Sequence, residues 1–155
     1  MHLRLIPSVL SLSIVVSGTR HRCRCTSDQN CWPSESDFQT LASQVSQPLI
    51  YPVPPASPCY PVSDPSGNCT DVQSESGYAN WRADHPGAMQ MAQYETYTYP
   101  NGTIAACYLN TTLGFPCEQG SVSTIGIDAR SPEDIQAAVK FASQYNLRVV
   151  IKNTG

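Results

Sequence analysis

Two neighbouring stretches near the carboxyl end carry the clearest structural signal: Ser131-Pro-Glu-Asp-Ile-Gln-Ala-Ala-Val-Lys-Phe-Ala142 and Leu147-Arg-Val-Val-Ile-Lys-Asn-Thr-Gly155. In the first, Ser131 is placed as a helix N-cap, Pro132 fills the first helical position, and Asp134 completes a Ser-x-x-Asp capping box. Apolar residues then recur at helical spacing and predict one apolar stripe, formed by Ile135, Ala138, Val139 and Ala142. The first stretch is therefore predicted to be an amphipathic helix.

The segments on either side of this helix have the composition of strands. Val122 to Ile127 is a short strand-like run, and Leu147 to Ile151 has the β-branched density of a buried strand. Asn146 is suited to a left-handed exit from the helix. Strand, helix and strand predict a βαβ unit with parallel strands and a right-handed crossover. The polar turn Asn153-Thr-Gly155 would then lie where open α/β sheets bind ligands.

The amino terminus has the features of a secretory signal. Residues 1–18 contain a weakly positive start, an apolar stretch from Leu5 to Val16 and small residues at the cleavage positions. An amphipathic or disordered leader is the alternative. The apolar run is too short to span a bilayer. We therefore expect a chain that enters the secretory pathway and has no membrane association after the signal is cleaved.

Cysteines and glycosylation acceptors agree with secretion. Seven cysteines in such a chain favour disulfides over metal ligands, and the odd number leaves one thiol without a partner. Zinc at the Cys23, Cys25, Cys31 cluster is disfavoured, because no histidine stands at ligand spacing, and no metal site is predicted. The disulfide pairing stays open. Three Asn-x-Thr sequons predict N-glycosylation, at Asn68, Asn101 and Asn110.

The region between the termini is irregular in sequence. Ser34 to Val45 predicts a short helix capped by Ser34 or Ser36. Seven of the 13 prolines lie between Pro48 and Pro65, and residues 48–77 are predicted to be a loop or link. Residues 79–82 could form a helical turn, and residues 89–99 could be helical or extended. His85 could suggest catalysis, but without an identifiable nucleophile or partner we interpret it as a solvent-facing loop histidine.

Charge excludes one class of partner. The net charge is −3, only 14% of residues are charged, and no basic patch could neutralise a run of phosphates. Nucleic-acid binding is therefore not expected.

Three motifs resemble one enzyme family. Pro116-Cys-Glu-Gln-Gly120, the stretch from Asp128 to Ala142, and Val149-Val-Ile-Lys-Asn-Thr-Gly155 resemble the start of the FAD-binding, PCMH-type domain of berberine-bridge-enzyme-like oxidoreductases, within the vanillyl-alcohol-oxidase (VAO) superfamily. The cluster from Cys23 to Pro33 resembles secreted fungal members. The resemblance implies an α+β chain with three parts: a signal over residues 1–18, a loop-rich, cysteine-containing segment over 19–115, and a truncated βαβ piece of the FAD domain over 116–155.

The resemblance also implies roles for the last three residues. Asn153, Thr154 and Gly155 match the first part of a loop whose backbone amides contact the FAD pyrophosphate; a plain polar turn is the alternative. The family's next residue is a histidine that carries the flavin covalently, and it is not in this sequence. The sequence contains no residue that matches a catalytic one. We therefore expect a truncated, inactive chain that binds no FAD by itself.

The resemblance also implies a class of substrate, and two other interpretations of the chain stay open. The family implies a small-molecule metabolite as substrate, and the amino-terminal half resembles the chanoclavine synthase branch of ergot-alkaloid pathways. The main alternative is a small secreted cysteine-rich protein that binds a partner without catalysis. A subunit that completes a FAD site with a second chain is a third interpretation. A disulfide set closed within the chain would favour the small binding protein, and a continuing reading frame downstream would favour the remnant.

Overall fold

The computed structural model describes residues 23–60 and 67–153, which are mostly loops with short helices. The α-helices in these residues are α1 (Glu35–Ala42), α2 (Cys69–Glu75), α3 (Ala79–Asp84) and α4 (Pro132–Gln144). Single 3-10 turns lie at Ser57–Cys59, Ala92–Glu95 and Thr111–Leu113. Strands β1 (Tyr97–Thr98) and β2 (Ile104–Ala105) form an antiparallel hairpin, with Tyr97 opposite Ala105. The predicted signal over residues 1–18 lies outside the described residues.

Helix α4 begins and ends as its sequence predicts. The Ser131 hydroxyl accepts a hydrogen bond from the Asp134 amide at 3.3 Å, and the Asp134 carboxylate accepts one in return from the Ser131 amide at 3.0 Å. Pro132 occupies the first turn. Asn146 follows the helix with φ of 55°, the left-handed conformation that asparagine tolerates. The local signals of this helix are therefore confirmed.

Only part of the predicted apolar stripe of α4 is covered by other residues of the described chain. Ala142 is buried, but Ile135 and Val139 remain 54% and 52% exposed. The helix instead packs through Phe141, whose ring centroid lies 5.4 Å from that of Phe38 on α1. Trp32 lies against Phe38 at 5.9 Å and extends this aromatic contact. Aromatic packing thus joins α1 to α4 while part of the stripe faces outward.

The two strands predicted beside α4 are not formed in the described residues. Residues 122–127 make one isolated bridge, between Gly126 and Ile50, and residues 147–151 belong to no strand and pair with no other described segment. A strand exists only when a second backbone supplies its hydrogen-bond partners. The prediction of a parallel pair with a right-handed crossover is therefore wrong for these residues, although the helix between the segments is present.

The Asp134 carboxylate joins α4 to the loop after α1. Besides its capping bond, it accepts hydrogen bonds from the Arg130 amide at 2.8 Å, the Ser46 amide at 2.7 Å and the Ser46 hydroxyl at 2.8 Å. These donors, first the Arg130 amide and then Ser46, lower the pKa of Asp134 from 3.8 to about 2. Asp134 is thus both a helix cap and a tertiary contact.

Asp134→Asn should therefore make the chain less stable at neutral pH but not at low pH. A carboxyl whose pKa falls on folding contributes stability above its ordinary value, and this stability is lost as the pH falls from about 4 to about 2. Urea midpoints of the wild type and the variant should differ at pH 7 and converge near pH 2. Glu133→Gln, an exposed acid in the same turn, is the matched control. Equal differences at both pH values would contradict this role.

The central loop region contains more structure than predicted. Residues 48–77 include the 3-10 turn at Ser57–Cys59 and helix α2, which a disulfide between Cys59 and Cys69 connects. Helix α3 confirms the helical turn predicted over residues 79–82. Residues 89–99, for which helix and strand were both open, divide into a 3-10 turn and strand β1. The prediction of a loop or link over 48–77 is therefore wrong in part, because the described residues of this range also form a helix.

All seven cysteines lie in the described residues, and six of them form disulfides. The pairs are Cys25–Cys31, Cys59–Cys69 and Cys107–Cys117, and Cys23 remains free and exposed. The preference for disulfides and the prediction of one leftover thiol are thus confirmed. Within residues 23–60 and 67–153 no group of His, Cys, Asp and Glu could hold a metal ion.

The hydrophobic core is small. Among the described residues, its larger members are Phe38, Leu41, Val72 and Val122, whereas alanine supplies half of the buried apolar residues there. Many large apolar side chains are exposed instead, including Tyr94 and Phe115. Among the helices of the described ranges, none has the length and apolarity needed to cross a membrane.

Candidate functional site

The predicted site begins at Asn153, the last described residue of the chain. Asn153 is exposed, and it lies in an open groove of about 380 Å³. The groove is lined by Met89, Gln90, Tyr94, Val150, Ile151, Lys152 and Asn153. Thr154 and Gly155, the other two predicted site residues, lie outside the described residues. The structure therefore places one of the three, beside the segment that follows α3.

The segment that carries Asn153 leaves α4 and runs outward. The Leu147 amide donates to the Ala142 carbonyl at 2.8 Å and closes the helix. The β-branched residues that follow are exposed, and Ile151 reaches 87%. This exposure leaves a segment of strand-like composition available for pairing.

Lys152 contacts the end of α3. Its ammonium donates to the Arg82 carbonyl at 2.6 Å and to the His85 carbonyl at 2.7 Å. Burial is the main reason that the pKa of Lys152 is lowered, and the positive charge of Arg82 adds to the effect. Lys152 thus joins the carboxyl-terminal segment to a helix about 70 residues earlier in the chain.

Arg82 and Glu95 form an ion pair beneath this contact. The Arg82 guanidinium is buried, and it also donates to the Ser76 carbonyl at 3.0 Å and to the Met89 carbonyl at 2.7 Å. Glu95 accepts a further bond from the Met89 amide at 2.9 Å. Burial raises the pKa of Glu95 despite the opposing effects of the Met89 amide and of Arg82. The pair therefore fixes the turn between α3 and the 3-10 turn at Ala92–Glu95.

The motif Pro116–Gly120 lies beside Glu95 as well. The Ser121 amide donates to the Glu95 carbonyl at 2.9 Å. Gly120 has φ of 59°, and a Cβ at this position would lie 2.1 Å from the Glu95 carbonyl oxygen. Only glycine accommodates both this conformation and this close approach. The motif Pro116–Gly120 is thus next to Glu95, and Lys152 of the last motif contacts Arg82, the ion-pair partner of Glu95.

The sequence context of His85 predicted a solvent-facing loop residue, and the structure shows that this prediction is wrong. It is half-buried, stacks on Trp81 with ring centroids 3.6 Å apart, and its Nδ1 lies 2.6 Å from the Trp81 carbonyl oxygen. This stack borders a second open groove, of about 310 Å³, whose wall is rich in proline. The Trp81 stack and the hydrogen bond of its ring explain His85 structurally, and no catalytic role follows from them.

The three predicted glycosylation sites lie on the surface. Asn68 caps α2, and its side-chain oxygen accepts a hydrogen bond from the Asp71 amide at 3.2 Å. Asn101 and Asn110 each accept from the hydroxyl of the sequon threonine at 2.7 Å. All three asparagines are exposed.

The structure describes one residue of the predicted FAD pyrophosphate loop. An anion cradle for the pyrophosphate needs several convergent amides, and the described part of the predicted loop supplies one residue, Asn153. The nearby ammonium of Lys152 is occupied by two carbonyls. The sequence did not predict the cluster formed by Arg82, Glu95 and Lys152, because no local sequence pattern connects positions so far apart.

No family model matches the sequence, but individual related proteins do. The chain is 41% identical over 134 residues to an uncharacterized FAD-linked oxidoreductase of Arthroderma benhamiae and covers 22% of that protein. It is 35% identical over 147 residues to the FAD-linked oxidoreductase asqF of Emericella nidulans and covers 25% of it. These matches include 86% and 95% of this chain.

A solved structure gives the same relationship. The VAO-type flavoprotein MtVAO615 of Myceliophthora thermophila matches 86% of this chain with a TM-score of 0.72 and 28% identity, and the match covers 24% of that protein. The chain therefore spans about a quarter of the length of the relatives it matches.

Proposed function

Because the chain is homologous to part of the fungal FAD-linked oxidoreductases of the VAO superfamily, we propose that it forms the beginning of such an enzyme. In this proposal, residues 116–155 start the PCMH-type FAD-binding domain, and residues 19–115 form a segment that carries disulfides and glycans. The observation that carries the proposal is the agreement of sequence and fold over most of the chain with about a quarter of each relative.

The exposed apolar surface supports this role. Ile135 and Val139 on α4 and residues 149–151 after it are exposed in the chain alone. Apolar strand segments without neighbours are prone to aggregate, and proteins usually pair or cover them. We propose that further parts of the FAD domain cover these residues, and that residues 147–151 become a strand when a neighbouring backbone pairs with them.

For the site itself, we propose that Asn153, Thr154 and Gly155 contribute the first part of the FAD pyrophosphate loop. Backbone amides and a glycine allow close approach to an anion. The flavin would supply the redox chemistry, and no residue of this sequence is assigned to catalysis. The substrate of the whole enzyme is proposed to be a small secondary metabolite, with the chanoclavine synthase branch as the more specific prediction.

Secretion is the second part of the proposal. Its support is the signal-like sequence of residues 1–18, the three disulfides and the exposure of Asn68, Asn101 and Asn110. Disulfides persist in oxidising compartments. We propose that the protein enters the secretory pathway and carries glycans at these asparagines.

The alternative, a small secreted binding protein, is favoured by one observation: the disulfides are closed within the chain. These disulfides are local, however, with partners six, ten and ten residues apart. Pairs this local would also close within a segment of a larger enzyme. The pairing expected to separate the two interpretations therefore does not separate them.

We expect the 155-residue chain, purified from a secreting host supplied with FAD, to contain no flavin. The reason is that an anion cradle needs several convergent amides, and the proposed pyrophosphate loop contributes only Asn153, Thr154 and Gly155 to this chain. Visible flavin absorbance, measured against protein concentration after gel filtration, tests this expectation, with a full-length FAD-linked relative as the positive control. Near-stoichiometric flavin on the chain would contradict it. A flavin-free monomer that resists proteolysis through residues 147–153 would favour the small binding protein.

A further inference from the structure

The contact between Lys152 and α3 joins the predicted cofactor loop to a rigid part of the chain. The last carbonyls of a helix lack partners within that helix, and lysine side chains commonly satisfy them. The ammonium of Lys152 binds the carbonyls of Arg82 and His85 at 2.6 and 2.7 Å, and these carbonyls also accept the His85 and Ala88 amides at 3.4 and 3.0 Å. The two acceptors lie 70 and 67 residues before Lys152 in sequence. The contact is therefore tertiary and cannot arise from local chain geometry.

The acceptors are themselves held in place. The Arg82 side chain bonds the Ser76 and Met89 carbonyls and pairs with Glu95, while Glu95 accepts from the Met89 amide. The Trp81–His85 stack fixes the end of α3 from the other side. A functional group is positioned well only when its supports are fixed in this way. Lys152 thus binds to a preformed support.

The segment after α4 has few other anchors. Past the Leu147 amide, which closes α4, the backbone of residues 148–153 makes no hydrogen bond to another described residue. Val149, Val150 and Ile151 are exposed. Within the described residues, the two bonds of the Lys152 side chain are therefore the hydrogen bonds that fix this segment.

From this geometry we infer that Lys152 is a positioning residue, whose ammonium fixes the segment bearing Asn153 against the carboxyl end of α3. Its relevance to FAD rests on the proposed function, whereas the positioning itself does not. An ammonium fixes the segment more strongly than a neutral donor would, because hydrogen bonds from charged donors are about twice as strong as those from neutral donors. Arg82 and Glu95 support Lys152 indirectly by holding these carbonyls.

Hydrogen exchange of the full 155-residue chain tests the inference through the variant Lys152→Met, which keeps the aliphatic stem and removes the donor. The peptide covering residues 79–88, which contains both acceptor carbonyls and hydrogen-bonded amides, should exchange about tenfold faster, since two charge-assisted bonds are lost. Lys152→Arg, which keeps a charged donor, should restore much of the protection. Lys140→Met, at an exposed position on α4, is the matched control and should leave this peptide unchanged.

A second measurement needs no variant. The sequence contains two lysines, Lys140 and Lys152, so selective ¹⁵N-lysine labelling gives two side-chain signals. We expect protected ammonium protons for Lys152 and rapid exchange for Lys140. Unchanged exchange in folded Lys152→Met, or equal ammonium exchange at both lysines, would overturn the inference. Neither readout involves flavin, so the inference can fail while the proposed function stands, and the reverse also holds.

Discussion

Replacing Arg82 by methionine should lower the free energy of unfolding by about 3–5 kcal/mol, the cost of breaking a buried ion pair by removing one partner. Arg82 is 8% exposed, and its guanidinium satisfies the Ser76 and Met89 carbonyls as well as Glu95. Methionine fills part of the space but leaves Glu95 without its cation. The loss should also reach Lys152, because the Arg82 carbonyl is one of its two acceptors.

Urea unfolding at neutral pH measures this loss, with Arg130→Met as the matched control. Arg130 also pairs with a carboxylate, that of Asp128, but both side chains are largely exposed, and such pairs contribute about 0–1 kcal/mol. Adding Glu95→Gln to Arg82→Met should recover part of the stability, since the uncompensated charge is removed. If Arg82→Met cost no more than Arg130→Met, the ion pair would not be the support described here.

Local signals allowed helices α4 and α1 to be predicted. The capping box of Ser131 and Asp134 and the left-handed Asn146 depend on neighbours within a few residues, and all of them are present. Ser34 or Ser36 was predicted to cap α1 for the same reason, and Ser34 is the cap observed. Helix α2 was missed because it lies in a proline-rich region, where a cap at Asn68 and a disulfide at Cys69 stabilise a helix of seven residues.

Pairing and tertiary contacts could not be predicted in the same way. Residues 147–151 have the composition of a strand, but composition does not supply the partner backbone, and the segment is unpaired in the described chain. The outward position of Ile135 and Val139 has the same origin, because an apolar stripe indicates burial without saying against what. The contact of Lys152 with the Arg82 carbonyl, and the ion pair of Arg82 with Glu95, depend on the fold of three separate segments.

Grafting this chain into a relative tests its assignment to a FAD-binding enzyme directly. In the Arthroderma benhamiae FAD-linked oxidoreductase, the 134 aligned residues would be replaced by those of this chain, with which they are 41% identical. The flavin content of the purified graft is then compared with that of the unaltered relative and of a relative lacking the segment. If the chain supplies the beginning of the FAD domain, the graft should retain flavin near the level of the unaltered relative, and the deletion should lose it. A soluble, folded graft without flavin, or a deletion that keeps its flavin, would contradict the assignment.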